Sequence, residues 1–396
     1  MSTITLKKEA PWWNWIVIVD VFLVIITIVH AYLVPYPGDS LNTFNLAGEM
    51  NFAAWWSSML LLTLGMLAYE LYCTKTDGSN KAWLILAFIW CGLSWDEIGS
   101  LHERVAITMG WKAFIPFILV GGSAAFYAFL LLYRNSATRT ASIFIFVGIV
   151  VMSSAVVYEF FERIIEWPAW FIGLRVGAEE GTELLGMFLS LWGVHSQRQR
   201  KQWPNPLSQV IPNPYWMKKL AFILPSGLLL HVATSIIEDR FVPDMGSRGN
   251  PAVWYPVILF SILFYAALWK SWSPQENRSS SWRILALYFV LSSIAITAMY
   301  DIQSKARLQD VLGPLSNFYG QFMVQLLIVI LICFWIYGAL SMNSAFAMVV
   351  VGLLIFSGFW FPAHVLQYLV AGVFALLVTK LFLLDNRPKP NSELAA

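Results

Sequence analysis

The residues of this sequence best suited to chemistry are carboxylates and a histidine that follow an apolar run. Residues 94–103 read Ser-Trp-Asp-Glu-Ile-Gly-Ser-Leu-His-Glu, and the run before them, 82–95, is almost wholly apolar. That run is shorter than the ~20 residues that cross a bilayer as a helix, so the helix is predicted to continue through the acids. Ionisable side chains at membrane depth are costly and commonly functional. We therefore interpret Asp96 and Glu97 as part of a functional site.

Further acids border other apolar runs in the same part of the chain. Glu159 and Glu162 end one run, and Glu180 and Glu183 begin the next; each pair is spaced i, i+3 and so shares one face of a helix. Packed carboxylates in a low dielectric repel one another unless protons or a cation neutralise them. The sequence thus predicts a cation- or metal-binding site, for which one or two divalent ions are the candidate occupants.

The predicted ligands are carboxylates and one imidazole, the groups that hold di-metal centres in helical bundles: Asp96, Glu97, His102, Glu159, Glu180 and Glu183. The Glu-x-x-His spacing of such centres is absent from the sequence, so no particular metal is indicated. Residues expected to support the ligands or to contact a substrate are Glu49, Ser100, Glu103, Glu162, His231 and Glu238.

Two other interpretations of the acids remain open. They could be solvated loop residues, with Glu179 and Glu180 complementing a helix dipole and nearby arginines pairing the rest. They could instead line a path for protons or a substrate. Asp20 and Glu70 are placed near the cytoplasmic ends of their runs, which favours an interfacial role for both.

The composition predicts the elements that must position these residues. Of the 396 residues, 58% are hydrophobic and 12% are charged, which is typical of polytopic membrane proteins, and no basic run suggests nucleic-acid binding. The predicted fold is an all-α transmembrane helix bundle. Apolar runs of bilayer length predict about twelve spans, near residues 15–34, 53–72, 82–101, 113–133, 141–161, 179–197, 217–237, 253–270, 283–301, 319–340, 345–361 and 364–384.

A polar, proline-rich stretch divides these spans six and six. The sequence predicts a six-span half over 1–197 that carries the acidic cluster, a cytoplasmic linker over 198–216 and a second six-span half over 217–396. Short matches between the halves raise the possibility of a degenerate repeat. Lysines and arginines gather in alternate loops, which predicts that both termini are cytoplasmic and that the acids meet near the outer face.

The first half resembles an uncharacterised family of bacterial multi-pass membrane proteins. The resemblance rests on residues 94–103, on Glu-Glu-Gly-Thr-Glu-Leu-Leu-Gly at 179–186 and on Glu-Met-Asn-Phe-Ala-Ala-Trp-Trp-Ser-Ser at 49–58. It covers the first six spans, to about residue 197. It implies a bacterial cytoplasmic (inner) membrane protein and supplies no reaction.

Three functions follow as alternatives. The first is a metal-dependent membrane enzyme acting on a lipid or another hydrophobic substrate at the outer-face site. The second is a secondary transporter with proton- or cation-coupled acids, by analogy of architecture. The third is an accessory or structural subunit of a larger membrane complex, whose partners would be the bilayer and neighbouring subunits.

Overall fold

The computed structural model is all-helical over the residues that it describes, which are 12–33, 44–48, 51–73, 80–99, 110–162, 165–200, part of 257–271 and 279–300. Within these ranges the chain forms helices and turns, and no β-strand occurs. The predicted all-α class is confirmed for this part of the chain.

Eight α-helices are described. They are α1 (Trp12–Leu33), α2 (Phe52–Cys73), α3 (Asn80–Gly99), α4 (Ile115–Arg134), α5 (Arg139–Ser153), α6 (Ala155–Glu162), α7 (Ala169–Arg200) and α8 (Ser279–Tyr300). A short 3₁₀ helix, Trp111–Phe114, leads into α4. Helices α5 and α6 are separated only by Ser154, whose hydroxyl donates to the carbonyl oxygen of Val151 at 2.6 Å.

Five helical stretches are long and apolar enough to cross a membrane: Trp13–Tyr32, Phe52–Cys73, Asn80–Gly99, Ile115–Arg134 and Arg139–Tyr158. They coincide with the first five predicted spans, because a sustained apolar run sets both the length of a helix and its solubility in lipid. The chain is therefore a membrane protein.

The later predicted spans are described only in part. The predicted span 179–197 lies inside α7, 283–301 overlaps α8, and helical residues of 257–271 overlap 253–270. Helix α7 continues to Arg200, three residues into the predicted linker. The rest of the linker and the predicted spans 217–237, 319–340, 345–361 and 364–384 lie outside the described residues, so the twelve spans and the repeat stay predictions.

Five helices of the first 200 residues pack as a closed ring. Helix α2 packs on α3, α3 on α4, α4 on α5, α5 on α7 and α7 back on α2, while α1 lies along α7 and α8 packs on α2. Helix α2 is the most enclosed of the five membrane-length helices. It is therefore the element against which the others are positioned.

Glycines on two faces of α7 allow its close packing. A Cβ atom at Gly173, Gly177 or Gly181 would meet side chains of α1, and one at Gly186 or Gly193 would meet backbone atoms of α5. Small residues at four-residue spacing let helix backbones approach closely in a membrane. Helix α7 thus packs between α1 and α5 and leaves a third face toward the centre of the bundle.

Candidate functional site at the start of α2

A capped turn fixes where α2 begins. Asn51 is the N-cap: its Oδ1 accepts the backbone N–H of Ala54 at 2.9 Å, and its Nδ2 donates to the carbonyl oxygen of Asn45 at 2.7 Å. In the same turn, the backbone N–H of Leu46 donates to Oγ1 of Thr27, within α1, at 2.9 Å. The first residues of α2 are thereby tied to the side of α1 in its C-terminal half.

Four consecutive residues of α2, Trp55 to Ser58, bond to three different helices, and we call them the α2 polar row. The indole of Trp55 donates to Oγ of Ser293 on α8 at 3.0 Å. The indole of Trp56 donates to Oδ1 of Asp20 on α1 at 2.8 Å. Ser57 and Ser58 both bond to α3. The row fixes the relative positions of α1, α3 and α8 around one turn of α2.

Glu97 is attached to this row. The hydroxyl of Ser57 donates to Oε1 of Glu97 at 2.6 Å, a length typical of a hydroxyl bonded to a carboxylate. One turn earlier on α3, the hydroxyls of Ser58 and Ser94 each donate to the other residue's carbonyl oxygen at 2.8 Å. Both serines are buried. The carboxylate of Glu97 is therefore held against a rigid pair of helices.

Asp20 is the acid that the sequence analysis did not include in the site. Only 9% of Asp20 is exposed, and its partner Trp56 directly precedes the serine that binds Glu97. Counting along α1 alone placed Asp20 near the cytoplasmic end. Placing Asp20 in the site would have required knowing the depth at which α2 begins. The adjacent serines Ser57 and Ser58, inside an apolar run, were the available signal of polar contacts there.

The helix registers place Asp20 and Ser57 at one level. Helices α1 and α7 are antiparallel, since Val24 lies against Gly181 and Ile28 lies against Gly177. Extending this pairing by four residues places Asp20 at the same level as Leu185 of α7.

An ion pair gives the same level for α2. Glu70 of α2 pairs with Arg198 of α7 at 3.3 Å. Thirteen residues before this pair, α2 has Ser57 and α7 has Leu185, so these two residues also lie at one level. By the helical rise, Glu183 lies ~3 Å from this level and Glu180 lies ~8 Å from it, both toward the N-terminal end of α7.

Glu180 and Glu183 occupy the third face of α7. At about 100° per residue, they project between the faces that contact α1 and α5, in line with the buried Met187 and Val194. Both glutamates are half-buried. Their neighbour Glu179 accepts a hydrogen bond from Nη1 of Arg175 at 3.0 Å.

The described residues contain part of the predicted site. Asp96 and Glu97 lie at the end of α3, and Glu180 and Glu183 lie on α7. Glu159 and Glu162 belong to α6, but their side chains are outside the description. Also outside the described residues are Glu49, Ser100, His102, Glu103, His231 and Glu238.

No metal-binding group is complete within the described ranges. Among these residues, no three His, Cys, Asp or Glu side chains are grouped closely enough to hold a metal ion. A divalent site would therefore need His102, Glu159 or another side chain that the structure does not describe. The metal site stays a prediction.

Comparison with known proteins gives a similarity over part of the chain, without a function. Residues 15–197 match the model of a family described as a domain of unknown function, DUF8692. No curated protein and no solved structure matches the chain. The match spans the helices that carry the α2 polar row, Glu97 and the α7 acids, and it ends where the predicted resemblance ends. This part of the chain is thus similar to an uncharacterised domain.

Proposed function

We propose that this integral membrane protein binds a cation through carboxylates that converge on the α2 polar row. The observation that carries the proposal is the 2.6 Å hydrogen bond from Ser57 to Glu97, between two helices of membrane length. The Ser57 hydroxyl orients the half-buried carboxylate of Glu97, and acids at membrane depth are commonly functional sites that bind a proton or a cation.

The α7 glutamates support a shared site. Glu183 is within one helical turn of the level of Glu97 and Ser57, and with Glu180 it projects toward the bundle centre. His102 and Glu159 are the proposed additional ligands if the cation is a divalent metal. Such an ion would supply a Lewis acid or an activated water to a lipid or other hydrophobic substrate that enters from the bilayer.

We also propose the cytoplasmic membrane as the location, with both termini in the cytoplasm. The support is the distribution of lysine and arginine among the loops, together with five membrane-length helices.

Elemental analysis of gently solubilised, full-length protein tests the metal version. We expect a stoichiometric divalent metal that Glu97→Gln or Glu183→Gln removes. Glu166→Gln is the matched control, because Glu166 is an exposed glutamate of the same part of the chain. Metal-free wild-type protein whose stability does not change when divalent ions are added would refute the metal version.

A second candidate function, cation-coupled transport, is favoured by Asp20. This buried acid lies ~12 Å from one end of α1 and ~20 Å from the other, closer to mid-membrane than the outer-face position expected for the acids. Transporter sites are commonly near the midplane. Reconstituted vesicles should then show proton- or sodium-coupled flux that Asp20→Asn abolishes, and no such flux across a broad substrate panel would exclude this function. Association with subunits of a larger complex stays a prediction.

A further inference from the structure

The turn between α4 and α5 carries two exposed arginines. Arg134 is the last residue of α4, Arg139 is the first residue of α5, and both side chains are exposed. The hydroxyl of the buried Thr138 donates to the carbonyl oxygen of Leu132 at 2.5 Å and so closes the turn between them. The two arginines therefore lie together at one end of a helical hairpin, which we call the α4–α5 hairpin.

No acid of the hairpin balances this positive charge. The sequence has no Asp or Glu in residues 104–158, a stretch that includes all of α4 and α5. Within the part of the chain that the structure describes, neither arginine forms an ion pair. Ala141 of α5 lies against Gly193 of α7, ~12 Å along α7 from the level of Leu185. The arginines are thus remote from the α2 polar row and its acids.

Tyr133 positions the guanidinium of Arg139. Nε of Arg139 donates to the carbonyl oxygen of Tyr133 at 3.2 Å, and Cζ of Arg139 lies 5.3 Å from the centroid of the Tyr133 ring. Among the described residues, no acceptor bonds to the two terminal nitrogens of this guanidinium. Two parallel N–H groups held in this way match the oxygen atoms of a phosphate group.

Aromatic rings lead from the arginines along the hairpin. The rings of Tyr133, Phe129 and Phe126, which we call the aromatic strip, follow one another with centroids 5.4 Å and 6.1 Å apart. Phe129 also stacks on Phe146 of α5 at 4.3 Å, so the strip follows the contact between the two helices. Its two ends are exposed, Tyr133 by 42% and Phe126 by 51%. On a helix of membrane length, such an exposed apolar strip faces the acyl chains of lipids.

We propose that the α4–α5 hairpin binds an anionic phospholipid, with its phosphate group on Arg134 and Arg139 and an acyl chain along the aromatic strip. Charge complementarity selects this occupant. A zwitterionic lipid carries its own cation, whereas the phosphate of an anionic lipid needs the positive charge that the arginines supply. This site shares no residue with the proposed cation site and does not depend on it.

Native mass spectrometry of delipidated, full-length protein tests the proposal, with dioleoyl phosphatidylglycerol as the anionic lipid and dioleoyl phosphatidylcholine as the zwitterionic lipid. We expect the first phosphatidylglycerol to bind about fivefold more tightly than the first phosphatidylcholine. Arg139→Gln should remove this preference, and Arg139→Lys, which keeps the charge without the paired N–H groups, should retain part of it. Arg283→Gln is the matched control and should leave the preference unchanged, because Arg283 is an exposed arginine of α8, which packs on α2.

Two results would overturn the proposal: equal affinity of the wild-type protein for the two lipids, or the same loss of preference in Arg283→Gln as in Arg139→Gln. If Arg139→Gln does not yield folded protein, Arg134→Gln takes its place, and an unchanged preference in that variant would equally overturn the proposal. Glycerol 3-phosphate in millimolar excess separates a lipid from a soluble phosphate. It should not displace phosphatidylglycerol, because it has no acyl chain for the aromatic strip. Displacement would assign the arginines to soluble phosphates and refute the lipid site.

Discussion

Trp56 of α2 donates its indole N–H to the carboxylate of Asp20 on α1 at 2.8 Å, in a part of the bundle where Asp20 is 9% exposed. This bond connects α1 and α2 at the level that Asp20 shares with Ser57. It makes the start of α2 the shared support for acids on α1 and α3.

Removing the Trp56 indole should destabilise the bundle. Trp56→Phe leaves the Asp20 carboxylate buried without this donor, and we expect a loss of about 1–3 kcal/mol in the free energy of unfolding. Trp192→Phe, at a tryptophan that is 42% exposed, is the control and should change it little. The measurement is denaturation in mixed micelles. Equal losses for the two variants would contradict the assigned role of the bond.

The Ser58–Ser94 pair should form a disulfide when both residues are cysteine. Their Oγ atoms are 3.0 Å apart, so sulfur atoms at these positions would meet on oxidation. The experiment uses a Ser58→Cys/Ser94→Cys protein in which Cys73, Cys91 and Cys333 are replaced by alanine and a protease site is inserted in 74–79. After oxidation and cleavage at that site, the protein should run as one band before reduction and as two bands after it. Ser58→Cys with Gly92→Cys is the control pair. Separation of the fragments without reductant would contradict the α2–α3 register.

Gly186→Ala should destabilise the protein far more than Gly181→Ala. A Cβ atom at residue 186 would lie 2.5 Å from the carbonyl oxygen of Gly148 and 2.6 Å from the backbone nitrogen of Met152, so helix α5 would have to shift. At residue 181 the nearest atoms are 3.6 Å away, an ordinary contact with Val24. We expect a cost of about 1–3 kcal/mol for Gly186→Ala, measured by denaturation. Comparable effects at both glycines would refute the α5–α7 packing.

The two parts of the chain should stay associated after cleavage of the linker. Trp55 bonds to Ser293, Ser293 lies 2.9 Å from Ser261 through their hydroxyls, and Thr63 bonds to Tyr265. A protease site inserted within 204–212 should yield fragments that co-purify after mild solubilisation.

Variants on this contact surface supply the control for the cleavage experiment. Trp55→Phe combined with Tyr265→Phe should raise the released fraction several-fold, because buried hydrogen bonds between helices are lost. Trp170→Phe, at an exposed tryptophan, should leave it unchanged. If the fragments separate completely in cleaved protein that carries no substitution at this surface, these contacts do not support association.

Five helices could be predicted from the sequence because their apolar runs report directly on solubility in lipid. The start of α7 could not, since Arg175 and Glu179 interrupt the apolar pattern while pairing with each other within the helix. The predicted span began at residue 179, whereas the helix begins at Ala169. Charge alone therefore did not indicate where the helix begins.

The acids of the candidate site could be predicted from the sequence, but the residues that they contact could not. Glu97 and Glu183 stand out as charges bordering apolar runs. The pairing of Glu97 with Ser57 and of Asp20 with Trp56 depends on how deep α2 begins, which is set by the Asn51 cap. Relative depth is a property of two packed helices, and neither sequence segment contains it alone.

Helix α7, which contains the predicted span 179–197, is longer than a bilayer core is thick. Its 32 residues extend ~48 Å, against ~30 Å for a hydrocarbon core, and an ordinary tilt of ~20° removes only about 3 Å of the excess. As a membrane span, α7 would therefore project by roughly 15 Å into the head-group regions. A thinner or thicker bilayer would change how much of α7 is immersed, and α7 packs against α1, α2 and α5. Hydrophobic mismatch would then act directly on the helix that carries Glu180 and Glu183, and lipid chain length would be a physical variable for the site.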